Sequence, residues 1–154
     1  MNVIYFDTSA LVKRYVAEAG SEWVNALLDS ADAPLIFTSH LTLVEATCAF
    51  ARRAREGNLL PQALEDVLRL FQYDLTHLYH SLDVIPATID TARQLALAHP
   101  LRAYDAVQLA TAQLANQQLI HTDKPSLTFI SADDRLVNIA RATGLTVDNP
   151  NDHI

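Results

Sequence analysis

The sequence predicts an α/β fold, with a central, mostly parallel sheet of four to five short strands flanked by helices. Three observations predict it. Short apolar runs at residues 3–6, 35–38, 82–85 and 128–131 are separated by segments with helical periodicity. The first run, Val-Ile-Tyr-Phe, shows no polar alternation, the habit of a strand buried on both faces of a parallel sheet. Strands that alternate with helices are joined by crossovers, and crossovers build parallel sheets.

The elements follow in order. After the first strand come Asp7, then Thr8 and Ser9, both of helix-capping type, and helical spacing over 10–16. Gly20 breaks the chain, and Ser21 introduces a helix over 22–30 with Trp23, Val24, Leu27 and Leu28 as its apolar stripe. The second strand, 35–38, leads through Ser39 into a long helix over 41–56. Its apolar side reads as Leu41, Val44, Cys48 and Ala51, with Glu45 beside that stripe and Cys48 expected in the core. Arg52, Arg53 and Arg55 make its end basic, as the macrodipole favours. Pro61 suits a first helical position, and the next helix covers 62–78. A third strand at 82–85 stops at Pro86. Helices over 88–98 and 102–117 flank the break at His99-Pro100, and 119–127 reads as a loop. The fourth strand, 128–131, runs into Asp133 and Asp134 and a helix to 142. Gly144 ends that helix, and 146–147 reads as a last short strand.

Composition bounds the rest. A chain of 154 residues, half of them hydrophobic, suits one domain over 1–154 with an ordinary core. One cysteine excludes an internal disulfide and fits a reducing compartment. No apolar window is long enough for a membrane span, and Met1 runs into the first strand without a basic region, so neither a membrane partner nor a signal peptide is expected. The expected location is the cytoplasm. A net charge of −7 argues against a protein held on nucleic acid by bulk positive charge, though not against an enzyme that meets it through a metal and a local basic patch. No glycine-rich phosphate loop is present.

Four acids stand out. Asp7 ends the first strand, Asp133 follows the fourth, Asp105 opens a helix after a proline break, and Glu45 lies within an apolar helix. An ionised carboxylate among apolar residues needs a partner, and a divalent cation is one. Oxygen-only ligation favours Mg²⁺ or Mn²⁺ over zinc. Each acid also has a plainer reading: Asp7, Asp133 or Asp134 as a helix cap, Asp105 as complement to a helix dipole, Glu45 as partner of Arg52.

Four stretches carry a resemblance: Tyr5-Phe6-Asp7-Thr8-Ser9-Ala10-Leu11-Val12-Lys13, Leu43-Val44-Glu45, Tyr104-Asp105-Ala106-Val107-Gln108-Leu109-Ala110-Thr111-Ala112, and Phe129-Ile130-Ser131-Ala132-Asp133-Asp134-Arg135-Leu136. Together, and in this order, they resemble a PIN domain, and within that superfamily the VapC-type toxins of toxin–antitoxin systems. The resemblance implies a PIN-like three-layer sandwich and a metal-dependent ribonuclease, commonly dimeric and silenced by a cognate antitoxin. It implies catalytic roles for Asp7, Glu45, Asp105 and Asp133, with Mg²⁺ or Mn²⁺ on Asp7, Asp105 and Asp133. It implies support from Thr8 or Ser9, with Ser131 a further support; Asp134 is an adjacent candidate for the Asp133 position. RNA phosphates would be gripped by basic residues, with Arg102, Lys13 and Arg14 as candidates beside the arginines of the long helix.

Rival readings are a phosphatase with Asp7 as nucleophile, a binding module without catalysis, and a PIN-domain nuclease without an antitoxin. The first usually carries an aspartate two residues after the nucleophile, and here that position is Ser9.

Overall fold

The computed structural model describes residues 2–153. Five short strands, β1 (Val3–Phe6), β2 (Leu35–Ser39), β3 (His80–Leu82), β4 (Thr128–Ile130) and β5 (Thr146–Asp148), form one sheet in the order β3-β2-β1-β4-β5. Every neighbouring pair is parallel. The helices are α1 (Thr8–Leu11), α2 (Ser21–Leu28), α3 (Leu41–Arg55), α4 (Pro61–His77), α5 (Pro86–Ala98), α6 (Ala103–His121) and α7 (Asp134–Ala142), with 3-10 turns at Val12–Arg14 and Pro150–Asp152.

The sheet has a core on each face, because side chains of β1 alternate between them. Val3 and Tyr5 pack with α5, α6 and α7 through residues such as Leu95, Leu109 and Leu136. Ile4 and Phe6 pack with α1 to α4 through Leu11, Val24, Phe50 and Phe71. The result is the expected three-layer sandwich. From β1 the chain winds outward through β2 to β3, then returns to β4 on the other side of β1 and continues to β5. The winding therefore reverses between β1 and β4, and ligands bind at the carboxyl edge of such a reversal.

The structure moves several boundaries. The third strand is His80–Leu82, earlier than the expected 82–85. Val84 and Ile85 are exposed, and Pro86 opens α5 as a first helical residue. The end of α6 runs to His121, into the stretch read as a loop, because Leu119 is buried against the sheet-side core. The phase of α3 also differs. Its buried residues are Thr42, Ala46 and Phe50, whereas Val44 is 58% exposed and Cys48 is exposed as well. A threonine takes the core-facing position because its hydroxyl is bonded by Thr38 Oγ1 at 2.8 Å and Gln108 Nε2 at 2.9 Å. Gly20 precedes α2 with φ of 81°, and a Cβ there would come within 2.6 Å of the Pro150 carbonyl oxygen. The C-terminal turn could not close on any other residue.

Candidate active site

Asp7 follows β1 as the N-cap of α1. Its backbone N–H bonds the Ile130 carbonyl at 2.9 Å, which fixes it beside the end of β4. Two hydroxyls donate to one carboxylate oxygen, Oδ2: Ser9 at 2.6 Å and Ser131 at 2.9 Å. Among the described residues the other oxygen has no partner. Asp133 caps α7, and its Oδ1 accepts from the backbone N–H groups of Arg135 at 2.9 Å and Leu136 at 3.2 Å. Glu45, reaching in from α3, accepts on Oε1 from Gln108 at 2.7 Å and Thr8 at 3.2 Å. Asp105 lies in the first turn of α6, where Arg102 Nε approaches it at 3.9 Å. The four acids line one cleft of about 720 Å³ at the carboxyl edge of the sheet.

Three of these acids share one design. One oxygen is anchored by protein donors, and the second takes no hydrogen bond from a described residue. Burial pushes the Asp7 carboxyl up, against the hydrogen bonds of Ser9 and Ser131. Burial likewise raises Glu45. It also raises Asp105, helped by the negative charges of Asp7 and Asp133. Mutual repulsion among buried and half-buried carboxylates with free oxygens is what a divalent cation relieves. Among the described residues no three acids, histidines or cysteines already stand together as a finished metal cage. The all-oxygen donor set fits Mg²⁺, which keeps several waters and takes few direct protein ligands.

The structure separates Asp133 from Asp134. The Asp134 carboxylate is exposed and accepts from Asn149 Nδ2 at 2.7 Å, which ties the C-terminal turn to α7. Asp133 lines the cleft. Asp134→Ala is therefore expected to leave the chemistry of the cleft unchanged and cost about 1 kcal/mol of stability, the worth of one such hydrogen bond, read from parallel activity and thermal-melt assays.

Two of the expected phosphate-binding residues are committed elsewhere. Lys13 is 5% exposed, with Nζ 3.0 Å from Glu18 and 2.8 Å from the Ala19 carbonyl oxygen. Arg14 makes a two-pronged ion pair with Asp29, at 2.9 and 2.8 Å. Both are paired in this structure, Lys13 within the cleft lining and Arg14 outside it. Arg53 pairs with Glu18. Arg52, Arg55 and Arg102 remain on the cleft wall with exposed side chains, opposite or beside the acids. Thr8, Ser9 and Ser131 sit where support was expected. Gln108 and Thr42 were not anticipated from sequence. The available signal was a long polar residue one helical turn past Asp105 in an otherwise apolar stretch.

A PIN-domain family model matches residues 4–142. Ribonuclease VapC49 of Mycobacterium tuberculosis is 35% identical over 147 residues, a match covering 96% of this chain and 95% of the relative. The chain belongs to the PIN-domain family, among the VapC ribonucleases. This PIN domain is also 34% identical to Ribonuclease VapC35 of the same organism over 151 residues, covering 96% of this chain and 97% of that one. Two solved structures share its fold. One is a toxin-antitoxin complex from Klebsiella pneumoniae, with TM-score 0.61, 18% identity, and 96% and 97% of the two chains covered. The other is PAE2754 from Pyrobaculum aerophilum, with TM-score 0.64, 19% identity, and 99% and 93% covered. In this PIN domain no helix among the described residues is long and apolar enough to cross a membrane.

Proposed function

We propose that the protein is a divalent-metal-dependent endoribonuclease acting as the toxin of a toxin–antitoxin pair. The observation that carries this reading is the convergence of Asp7, Glu45, Asp105 and Asp133 on one cleft walled by arginines. The names of its VapC relatives support RNA as the substrate. Asp7, Asp105 and Asp133 would hold Mg²⁺ or Mn²⁺, with Glu45 completing the set. Such an ion supplies Lewis acidity, easing deprotonation of water and offsetting charge on a phosphate under attack.

The chain's own residues do the rest. Ser9 and Ser131 hold Asp7 by one oxygen and turn the other to the cleft. The peptide N–H groups of α7 do the same for Asp133. Arg52, Arg55 and Arg102 neutralise the phosphates flanking the scissile bond. Arg102→Ala is expected to raise KM more than it lowers kcat, and to reduce the slope of log KM against log salt by about one phosphate's share. A salt titration of cleavage by wild type and variant checks this.

Water as nucleophile leaves the 2′-hydroxyl unused, so 5′-phosphate and 3′-hydroxyl ends are the expected products. End-mapping of fragments tests the mechanism, and 2′,3′-cyclic phosphate ends would contradict it. The toxin role rests on the VapC relatives and on a fold shared with a chain of a solved toxin–antitoxin complex. Growth arrest on expression, relieved by the product of an adjacent gene, tests it. A homodimer is part of the same proposal, checked by light scattering of the purified protein.

A further inference from the structure

We propose that Gln108 is a positioning residue for Glu45, and that Tyr5 sets its orientation. This inference rests on the metal-dependent nuclease reading above.

Gln108 is fully buried on α6, at 0% exposure. A buried amide must satisfy a carbonyl oxygen and two N–H groups. Tyr5, itself fully buried on β1, donates its hydroxyl to Gln108 Oε1 at 2.7 Å. Its ring is stacked on Phe129 of β4, with centroids 5.7 Å apart, so the hydroxyl has a fixed origin. With the oxygen of the amide taken, the nitrogen must face the other way. It meets Glu45 Oε1 at 2.7 Å, Thr42 Oγ1 at 2.9 Å and Thr8 Oγ1 at 3.1 Å. The shortest of the three goes to the carboxylate, as expected for a charged acceptor.

Glu45 needs such a hold. The residues around it on the outer side of α3, Val44 and Cys48, are exposed, so side-chain packing there does not fix its rotamer. Thr8 and Gln108 bind one oxygen and leave Oε2 for the cleft. Gln108 and Tyr5 are absent from the cleft lining, so any effect they have on the reaction passes through Glu45 or through Thr8, which itself bonds Glu45. An apolar side chain of similar length would fill the same space without the cost of burying an amide. The retained amide is explained by what it orients.

The test compares wild type with Gln108→Met, which keeps the length and removes the donor, and with Glu45→Gln. Mn²⁺ binding to the RNA-free protein is titrated by electron paramagnetic resonance. Then kcat and KM are measured on a fluorogenic oligoribonucleotide at saturating metal. Gln108→Met is expected to weaken Mn²⁺ binding or lower kcat by roughly 10- to 100-fold, the usual cost of removing an outer partner of a metal-site residue. KM for RNA should stay unchanged, and the effect should approach that of Glu45→Gln. A folded Gln108→Met protein with wild-type Mn²⁺ binding and kcat overturns the inference. Should Gln108→Met fail to fold, Tyr5→Phe, which deletes one oxygen, carries the same comparison with the same two outcomes. Failure of wild type to bind Mn²⁺ overturns the metal reading and this inference together. Metal-dependent cleavage that is indifferent to Gln108 retires the inference alone.

Discussion

Asp7→Asn is expected to lower RNA cleavage on the order of a thousandfold while raising the thermal midpoint of the metal-free protein at neutral pH. If Asp7 holds the ion as proposed, the activity loss follows from replacing a charged carboxylate by a neutral amide, where several kcal/mol of charge stabilisation are at stake and each 1.36 kcal/mol is about tenfold in rate. The stability gain follows from burial. The Asp7 side chain is 4% exposed, and burial raises its pKa in the folded state. Glu45 and Asp105 are raised as well. A carboxyl raised on folding holds its proton more tightly in the native than in the unfolded chain. The stability it contributes is full below the ordinary carboxylate pKa, and is lost as pH climbs through the raised value. The share of metal-free stability that these three carboxyls contribute should therefore fall as pH rises from about 4, the ordinary carboxylate range. Asp7→Asn deletes its share of that loss while its amide oxygen still accepts from Ser9 and Ser131. Thermal melts of both proteins in chelator across pH check this, and parallel curves would count against it. Glu18 and Asp29, whose pKa values are lowered, act in the opposite sense in both proteins and cancel from the difference. Added Mg²⁺ or Mn²⁺ should stabilise wild type more than the variant.

Glu18→Ala is expected to destabilise the fold by about 3 kcal/mol, because it strands a buried ammonium. Lys13 Nζ would keep only the Ala19 carbonyl oxygen, and Arg53 would lose its carboxylate partner. For a chain of this length the midpoint should fall by about 10 °C. Burial alone would push the Glu18 carboxyl up, but Arg53 and Lys13 overcome it and hold the pKa below the usual range. The contribution is therefore present above the ordinary glutamate pKa and lost as pH falls through the lowered one. Lys13→Met, which removes the buried charge itself, should cost much less. A Lys13→Met loss as large as that of Glu18→Ala, measured by denaturant melts, would contradict this assignment.

The acids were legible because each is tied to a local signal. Asp7 and Asp133 stand where an apolar run ends and a helix begins, and parallel β1 and β4 make those two ends neighbours. Asp105 was marked by a proline break, and Glu45 by its apolar surroundings. What could not be read was orientation around α3. Apolar spacing favoured Leu41, Val44, Cys48 and Ala51, yet the helix buries Thr42 because Gln108 and Thr38, distant in sequence or on another element, satisfy its hydroxyl. The same limit applies to cations. Lys13 beside Arg14 looks like a basic surface, and only the fold shows that the loop through Glu18 closes over it. Partners that the chain brings together across more than a hundred residues, such as Tyr5 and Gln108, leave no trace in periodicity.

In the proposed function one acidic cleft, loaded with a divalent ion, cuts RNA. Its most direct test is incubation of purified protein with total cellular RNA in chelator, in Mg²⁺ and in Mn²⁺. Discrete fragments that appear with either ion and vanish with chelator are the expected result. Undiminished cleavage in chelator, or none under either ion from a folded protein, would contradict the claim.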